Sequence, residues 1–135
     1  MSLKMQLGLL MFGTIGSMLL ESVSCKNVHV VGDQLGWNIP SRQNFFDDWA
    51  KKKTFVVGDQ LVFQYHPGLN TVVKVNKEDY ENCTTKNVIE TYFNGNSSVT
   101  LEEAADYYFF SSVGKHCEAG VKLHVTVTNP LKSSQ

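Results

Sequence analysis

Four histidines (His29, His66, His116, His124) and three cysteines (Cys25, Cys83, Cys117) are the residues of this 135-residue chain best suited to metal or redox chemistry. No two histidines stand at a close metal-ligand spacing. His66 sits beside Pro67 in a turn and His124 falls on the polar side of the last β-type run, places that suit adventitious surface coordination rather than a built site. Ser111 precedes His116 by five residues, which invites a serine–imidazole dyad. Nucleophilic serine needs a positioned base and an oxyanion hole, and neither Ser111 nor Ser112 lies in a nucleophile-elbow sequence, so the expectation is no enzyme. Glu102, Glu103 and Asp106 group before a strand and read as a solvated turn rather than an acid–base pair. Asn82-Cys83-Thr84 and Asn96-Ser97-Ser98 fit the N-glycosylation acceptor pattern, with the better turn context at Asn96.

What those residues can do depends on the compartment. Lys4 precedes a long apolar stretch, Met5 to Leu20, that ends in the small residues around Ser22, Ser24 and Cys25, the layout of a secretory signal peptide over 1–25. Gly8, Gly13 and Gly16 interrupt the stretch, and it falls short of a comfortable membrane span. A lipoprotein signal ending at Cys25 would want a large aliphatic residue where Ser22 stands. Cleavage fits after either Ser24 or Cys25; only the latter leaves Cys83 and Cys117 as an even pair for an oxidising compartment. A bridge between them would stabilise so small a core by roughly 4 kcal/mol in the chain-entropy account. The net charge of −1 offers no single-signed field for nucleic acid or anionic lipid, and the run Lys51 to Lys53 is offset by Asp47 and Asp48. The polar end, 130–135, carries no hydrophobic tail of the lipid-anchor type, so no transmembrane segment is expected in the mature chain.

From Val28 onward, short β-branched and aromatic runs alternate with turn residues, the pattern of a sandwich of antiparallel strands. Strands are expected over Val28–Val31, Thr54–Val57, Gln60–Tyr65, Val72–Val75, Asn87–Phe93, Ser97–Leu101, Asp106–Phe110 and Val121–Val127. In the last, Val121, Leu123, Val125 and Val127 alternate with Lys122, His124 and Thr126, so one face is wet. Two helical turns are expected: Lys77–Tyr80, and Asn44–Ala50 with Phe45, Phe46 and Trp49 facing inward. Alternation should bury about half of Tyr107, Tyr108, Phe109 and Phe110.

Gly36-Trp37, Phe46, Trp49-Ala50, Phe55-Val56-Val57-Gly58-Asp59, Leu61-Val62-Phe63, Tyr80, Cys83, Tyr108-Phe109-Phe110 and His116-Cys117 occur in an order that resembles the phytocyanins, over about 26–129. The resemblance implies an all-β, cupredoxin-like Greek-key sandwich with one or two short helices and one disulfide, Cys83 to Cys117, beside the metal site. It also implies a home in the plant cell wall or at the outer face of the plasma membrane. Copper-binding members hold the metal with a His after the Gly of the central turn, a Cys ending a strand, a His before the bridging Cys, and an axial Met or Gln. At the matching positions this chain has Asn70, Ser111, His116 and Val121, so one ligand of the four survives. A type 1 site needs a short copper–thiolate bond and two imidazoles, and a serine hydroxyl that stays protonated is a poor soft-metal ligand. Asn70 offers a neutral amide oxygen that suits hard ions better than copper.

The expectation is therefore a secreted, copper-free member resembling the early nodulin-like and uclacyanin-like groups. It would act as an extracellular interaction module through the loops near Asn70, Ser111 and His116, on a cell-wall glycan or an extracellular protein such as a receptor ectodomain. The alternative is a blue-copper-type electron carrier, which would need copper bound despite the altered ligands.

Overall fold

The computed structural model describes residues 26–131; the expected signal peptide lies outside the described residues, as does most of the polar tail. Eight strands and two short helices follow in the order β1 (Val28–Val30), α1 (Phe45–Lys51), β2 (Phe55–Val56), β3 (Gln60–Phe63), β4 (Val72–Val75), α2 (Lys77–Asn82), β5 (Glu90–Tyr92), β6 (Ser97–Thr100), β7 (Asp106–Phe110) and β8 (Lys122–Thr128). They form a three-stranded sheet, β1-β3-β6, and a five-stranded sheet, β2-β8-β7-β4-β5. Between the two sheets lies the main core, built from Leu61, Phe63, Val99, Phe109, Leu123 and Val125 and closed by Trp37, Phe46 and Trp49. Alternation along β8 puts Leu123, Val125 and Val127 inside and leaves Lys122, His124 and Thr126 outside, as their period of two requires.

Two features differ from the sequence expectation. Strand β1 runs parallel to β3, and β2 parallel to β8, so the sandwich is mixed rather than wholly antiparallel. Both pairs are separated by long stretches of chain, which let the backbone return in the same direction; a hairpin cannot. The aromatic run of β7 is also buried more fully than alternation predicts, with Tyr107, Phe109 and Phe110 all buried. Phe110 packs on the outer face of the larger sheet in a second cluster with Val73, Val75 and Cys117, against which Tyr80, Cys83 and Tyr108 pack. Helix α2 and the disulfide thus cover a face that would otherwise be wet.

Helix α2 begins at Asn76, whose side chain accepts the Asp79 backbone N–H at 2.9 Å, a standard N-cap that satisfies one orphan donor. The buried Asp79 carboxylate then accepts from the Thr84 hydroxyl at 2.5 Å and the Asn87 N–H at 2.6 Å. Its pKa is lowered, chiefly by the Thr84 hydrogen bond, which outweighs burial. The segment after Cys83 is held to the helix by this carboxylate.

A second buried carboxylate, Asp59, lies at the β2–β3 turn. It accepts from Asn27 N (3.2 Å), Val56 N (3.1 Å) and His29 Nε2 (3.0 Å), pinning β1 to the turn. Burial pushes the Asp59 pKa up, but the hydrogen bonds from His29, Val56 and Asn27 together bring it below the usual carboxylate range. Asp59→Ala is expected to cost about 3 kcal/mol, because it removes three hydrogen bonds from partly buried or exposed donors, ~1 kcal/mol each; the shift of the urea midpoint measures it. The depressed pKa also sets a sign. The stabilisation is complete above the ordinary carboxylate range and is lost as pH falls through the lowered value, and Asp59→Asn should flatten that acid limb.

Candidate functional site

The four positions matched to copper ligands do converge on one end of the sandwich. Asn70 follows the turn of Pro67 and Gly68, Ser111 directly follows β7, His116 lies in the loop leading to β8, and Val121 directly precedes β8. The loop is tied across itself by Ser111 N to Val121 O (3.0 Å) and Val121 N to His116 O (2.9 Å). Asn70, Ser111 and Val121 are buried, while His116 is partly exposed.

Hydrogen bonding in this corner determines what the side chains can offer. Asn70 Nδ2 lies 2.9 Å from the Trp37 carbonyl oxygen, which can only accept, so this atom is the amide nitrogen and donates. Asn70 Oδ1 therefore faces the His116 ring, 2.8 Å from Nδ1. A carbonyl oxygen accepts, so Nδ1 must carry the proton. The ring nitrogen turned into the corner thus has no lone pair free for a metal. Ser111 Oγ accepts from Thr71 N at 3.2 Å and Val113 N at 3.4 Å. Trp37 closes the circuit, donating its indole N–H to Thr71 O at 2.7 Å, and Ser112 N and the Ser112 hydroxyl both bond Thr71 Oγ1.

This donor set does not fit copper. It supplies a protonated imidazole nitrogen, an amide, a hydroxyl already holding two N–H groups and a valine methyl, where a type 1 centre needs a thiolate and two imidazole lone pairs. Among the described residues, no group of three or more His, Cys, Asp or Glu side chains is arranged to hold a metal ion. The corner is a closed amide–hydroxyl network that locks four loop segments together.

The other sequence candidates sort cleanly. Ser111 Oγ bonds Thr71 N and Val113 N while His116 Nδ1 bonds Asn70, so no serine–imidazole hydrogen bond forms. His29 bonds Asp59, and His124 bonds Asp106 at 3.0 Å while stacking on Tyr108 at a ring separation of 4.5 Å. Hydrogen bonds from the Thr126 hydroxyl and then His124 lower the Asp106 pKa, the wrong direction for a general acid. Cys83 and Cys117 form the disulfide, with Cα atoms 5.9 Å apart. Asn82 and Asn96 are both exposed, Asn82 as the last residue of α2 and Asn96 just before β6. Asn70 and Ser111 are both buried; the outward groups beside them in sequence are Leu69, 57% exposed, and Ser112. Sequence reasoning missed the part of Trp37 as the keystone of the corner, because a hydrogen bond to a residue 34 positions away leaves no local signal.

The comparisons with known proteins agree with this architecture. The profile of the plastocyanin-like domain matches residues 37–121. Early nodulin-like protein 15 of Arabidopsis thaliana is 38% identical over 124 residues, covering 91% of this chain and 70% of its own length. Stellacyanin of Toxicodendron vernicifluum is 37% identical over 107 residues, covering 75% of this chain and 96% of its own. Among solved structures, cucumber stellacyanin with Cu2+ superposes with a TM-score of 0.71 at 32% identity, over 79% of this chain and all of that one. A two-sheet sandwich with its bridge beside the His116 loop, matched in sequence and in structure by these proteins, makes this chain a member of the phytocyanin family.

Proposed function

We propose that the chain is a secreted, copper-free phytocyanin that acts as an extracellular interaction module, at the plant cell wall or the outer face of the plasma membrane, with no catalytic activity. Its partner is a cell-wall glycan or a receptor ectodomain. The observation that carries this reading is the Asn70–His116 hydrogen bond, which places a proton on the nitrogen a metal would need. The leader-like segment 1–25 and the Cys83–Cys117 bridge support export, since such bridges persist in oxidising compartments. Among the described residues, no helix is long and apolar enough to cross a membrane. A rigid sandwich with its loops gathered at one end suits presentation of a binding surface.

Electron transfer is the second reading, favoured by the similarity to stellacyanin, whose cucumber counterpart was solved with Cu2+. Titration of the mature protein with Cu(II) separates the two. The expected result is a colourless protein whose visible spectrum gains no intense thiolate-to-copper absorption. Appearance of that absorption at one equivalent would establish a carrier and remove the module reading.

A further inference from the structure

A groove of about 560 Å³ runs beside the closed corner, between the turn at Asp33–Leu35, the chain leaving β3, and the β5–β6 connection. Five carboxamide side chains line it: Gln34, Asn38, Gln64, Asn94 and Asn96. They come from three separate stretches of sequence, and the sandwich topology alone brings them together. Gly36 and Gly95 line it as well, with φ of +71° and +85°. A Cβ at Gly36 would meet Gln64 O at 2.9 Å, and one at Gly95 would meet Pro67 and Tyr65 O at 3.2 Å, so side chains there would crowd the walls and strain the backbone. Asn38 is committed to Leu35 O at 2.7 Å. Gln34, Gln64, Asn94 and Asn96 are exposed, and among the described residues their amides have no protein partner.

The lining selects a ligand chemistry by elimination. No lining residue is Lys, Arg, Asp or Glu; the one basic side chain is the exposed imidazole of His66 on the rim, so a phosphate, sulfate or uronate would find no permanent countercharge, and a cation would find no carboxylate. Protein hot spots need an aromatic, arginine or large apolar anchor; here Tyr65 is buried with its hydroxyl bonded to Ser97, and Leu35 and Pro67 are the remaining apolar groups. What four free carboxamides match is a neutral ligand with many adjacent donors and acceptors, since each amide offers two N–H groups and two lone pairs without charge. The volume lies within the usual range for small-ligand sites, ~300–1,000 Å³.

We propose that this groove binds a neutral oligosaccharide through the carboxamides of Gln34, Gln64, Asn94 and Asn96. This deepens the interaction-module reading by naming a ligand class, and it fails separately from it, because the copper spectrum does not report on the groove. Such a sugar has two sources: free wall oligosaccharide, or an N-linked glycan carried by Asn96 itself, the acceptor of the triplet Asn96-Ser97-Ser98 on the groove lip.

The test is a side-chain amide NMR titration of the disulfide-bonded chain made without glycan. The probes are cellotetraose, xylotetraose, β-1,3-galactotetraose and chitobiose, with trigalacturonate and a neutral Gly/Ser peptide as controls. At least one neutral sugar should shift the NH2 signals of Gln34, Gln64, Asn94 and Asn96 at or below about 10 mM, the weak end of specific binding. The Gln34→Ala/Gln64→Ala chain, altered only at exposed positions, should keep its dispersed spectrum and bind about tenfold more weakly. Glycosylated protein from a secretory host distinguishes the sources. In the glycosylated chain Asn96 carries a substituted amide, so Gln34, Gln64 and Asn94 are the reporters. If its own glycan fills the groove, their signals are already shifted and added sugar does little until Ser98→Ala removes the acceptor; if free wall sugar is the ligand, those three shift on titration as they do in the bare protein. No shift at those four amides with any neutral sugar, or equal shifts with a control, overturns the proposal.

Discussion

Combining Asn70→His, Ser111→Cys and Val121→Met is expected to give a protein that takes up Cu(II) stoichiometrically with intense visible absorption, where the wild type is expected to stay colourless. The scaffold reason is that Asn70, Ser111 and His116 already converge, with Asn70 Oδ1 2.8 Å from the His116 ring. A histidine at 70 removes the acceptor that holds the proton on His116 Nδ1 and supplies a second imidazole. A cysteine at 111 supplies the anionic soft donor, because copper can displace a thiol proton whereas it leaves a serine hydroxyl protonated. Methionine at 121 adds a thioether where a buried valine now stands. The exchange has a folding cost. Trp37 O loses its amide donor and Thr71 N loses the Ser111 hydroxyl, about 1 kcal/mol for each hydrogen bond removed. The apo triple variant should therefore melt below the wild type and recover when copper is added. A triple variant that folds yet stays colourless would show that the backbone of the corner, not its side chains, excludes the metal.

Loss of the disulfide should give the largest stability change. Cys83 and Cys117 are 34 residues apart, which in the chain-entropy account is worth about 4 kcal/mol, a large share of the ~5–15 kcal/mol that holds a typical domain. The bridge also has a local task. Cys83 ends α2 in the left-handed region at φ +53°, and Cys117 follows His116, so the bond clamps the helix over Val73, Val75 and Phe110 and steadies the loop that carries His116. For Cys83→Ala/Cys117→Ala, urea unfolding should show the loss in full, and amide exchange in α2 and around His116 should accelerate ahead of the main sandwich. A loss under about 1 kcal/mol would instead mean that Asp79, with Asn76, Thr84 and Asn87, holds α2 in place without the bridge.

Much of this protein follows from its amino-acid order alone. A period of two along Val121 to Val127 can be satisfied only by a strand with one buried face, and the serine at 111, where the resemblance expects the thiolate, carries the expectation of a copper-free corner. Paired cysteines, turn glycines and aromatic anchors placed the chain among the phytocyanins. Tertiary closure decided the rest. Parallel pairing of β1 with β3 and of β2 with β8 arises from how distant segments pack. The proton on His116 Nδ1 is set by an amide 46 residues away, which is itself oriented by the Trp37 carbonyl. The Asp59–His29 bond and the groove of scattered carboxamides have the same origin. Local periodicity reports which face of an element is buried, because adjacent side chains feel the same backbone geometry. Hydrogen-bond partners of buried polar groups depend on which remote atoms arrive within about 3 Å, and only the folded chain determines that.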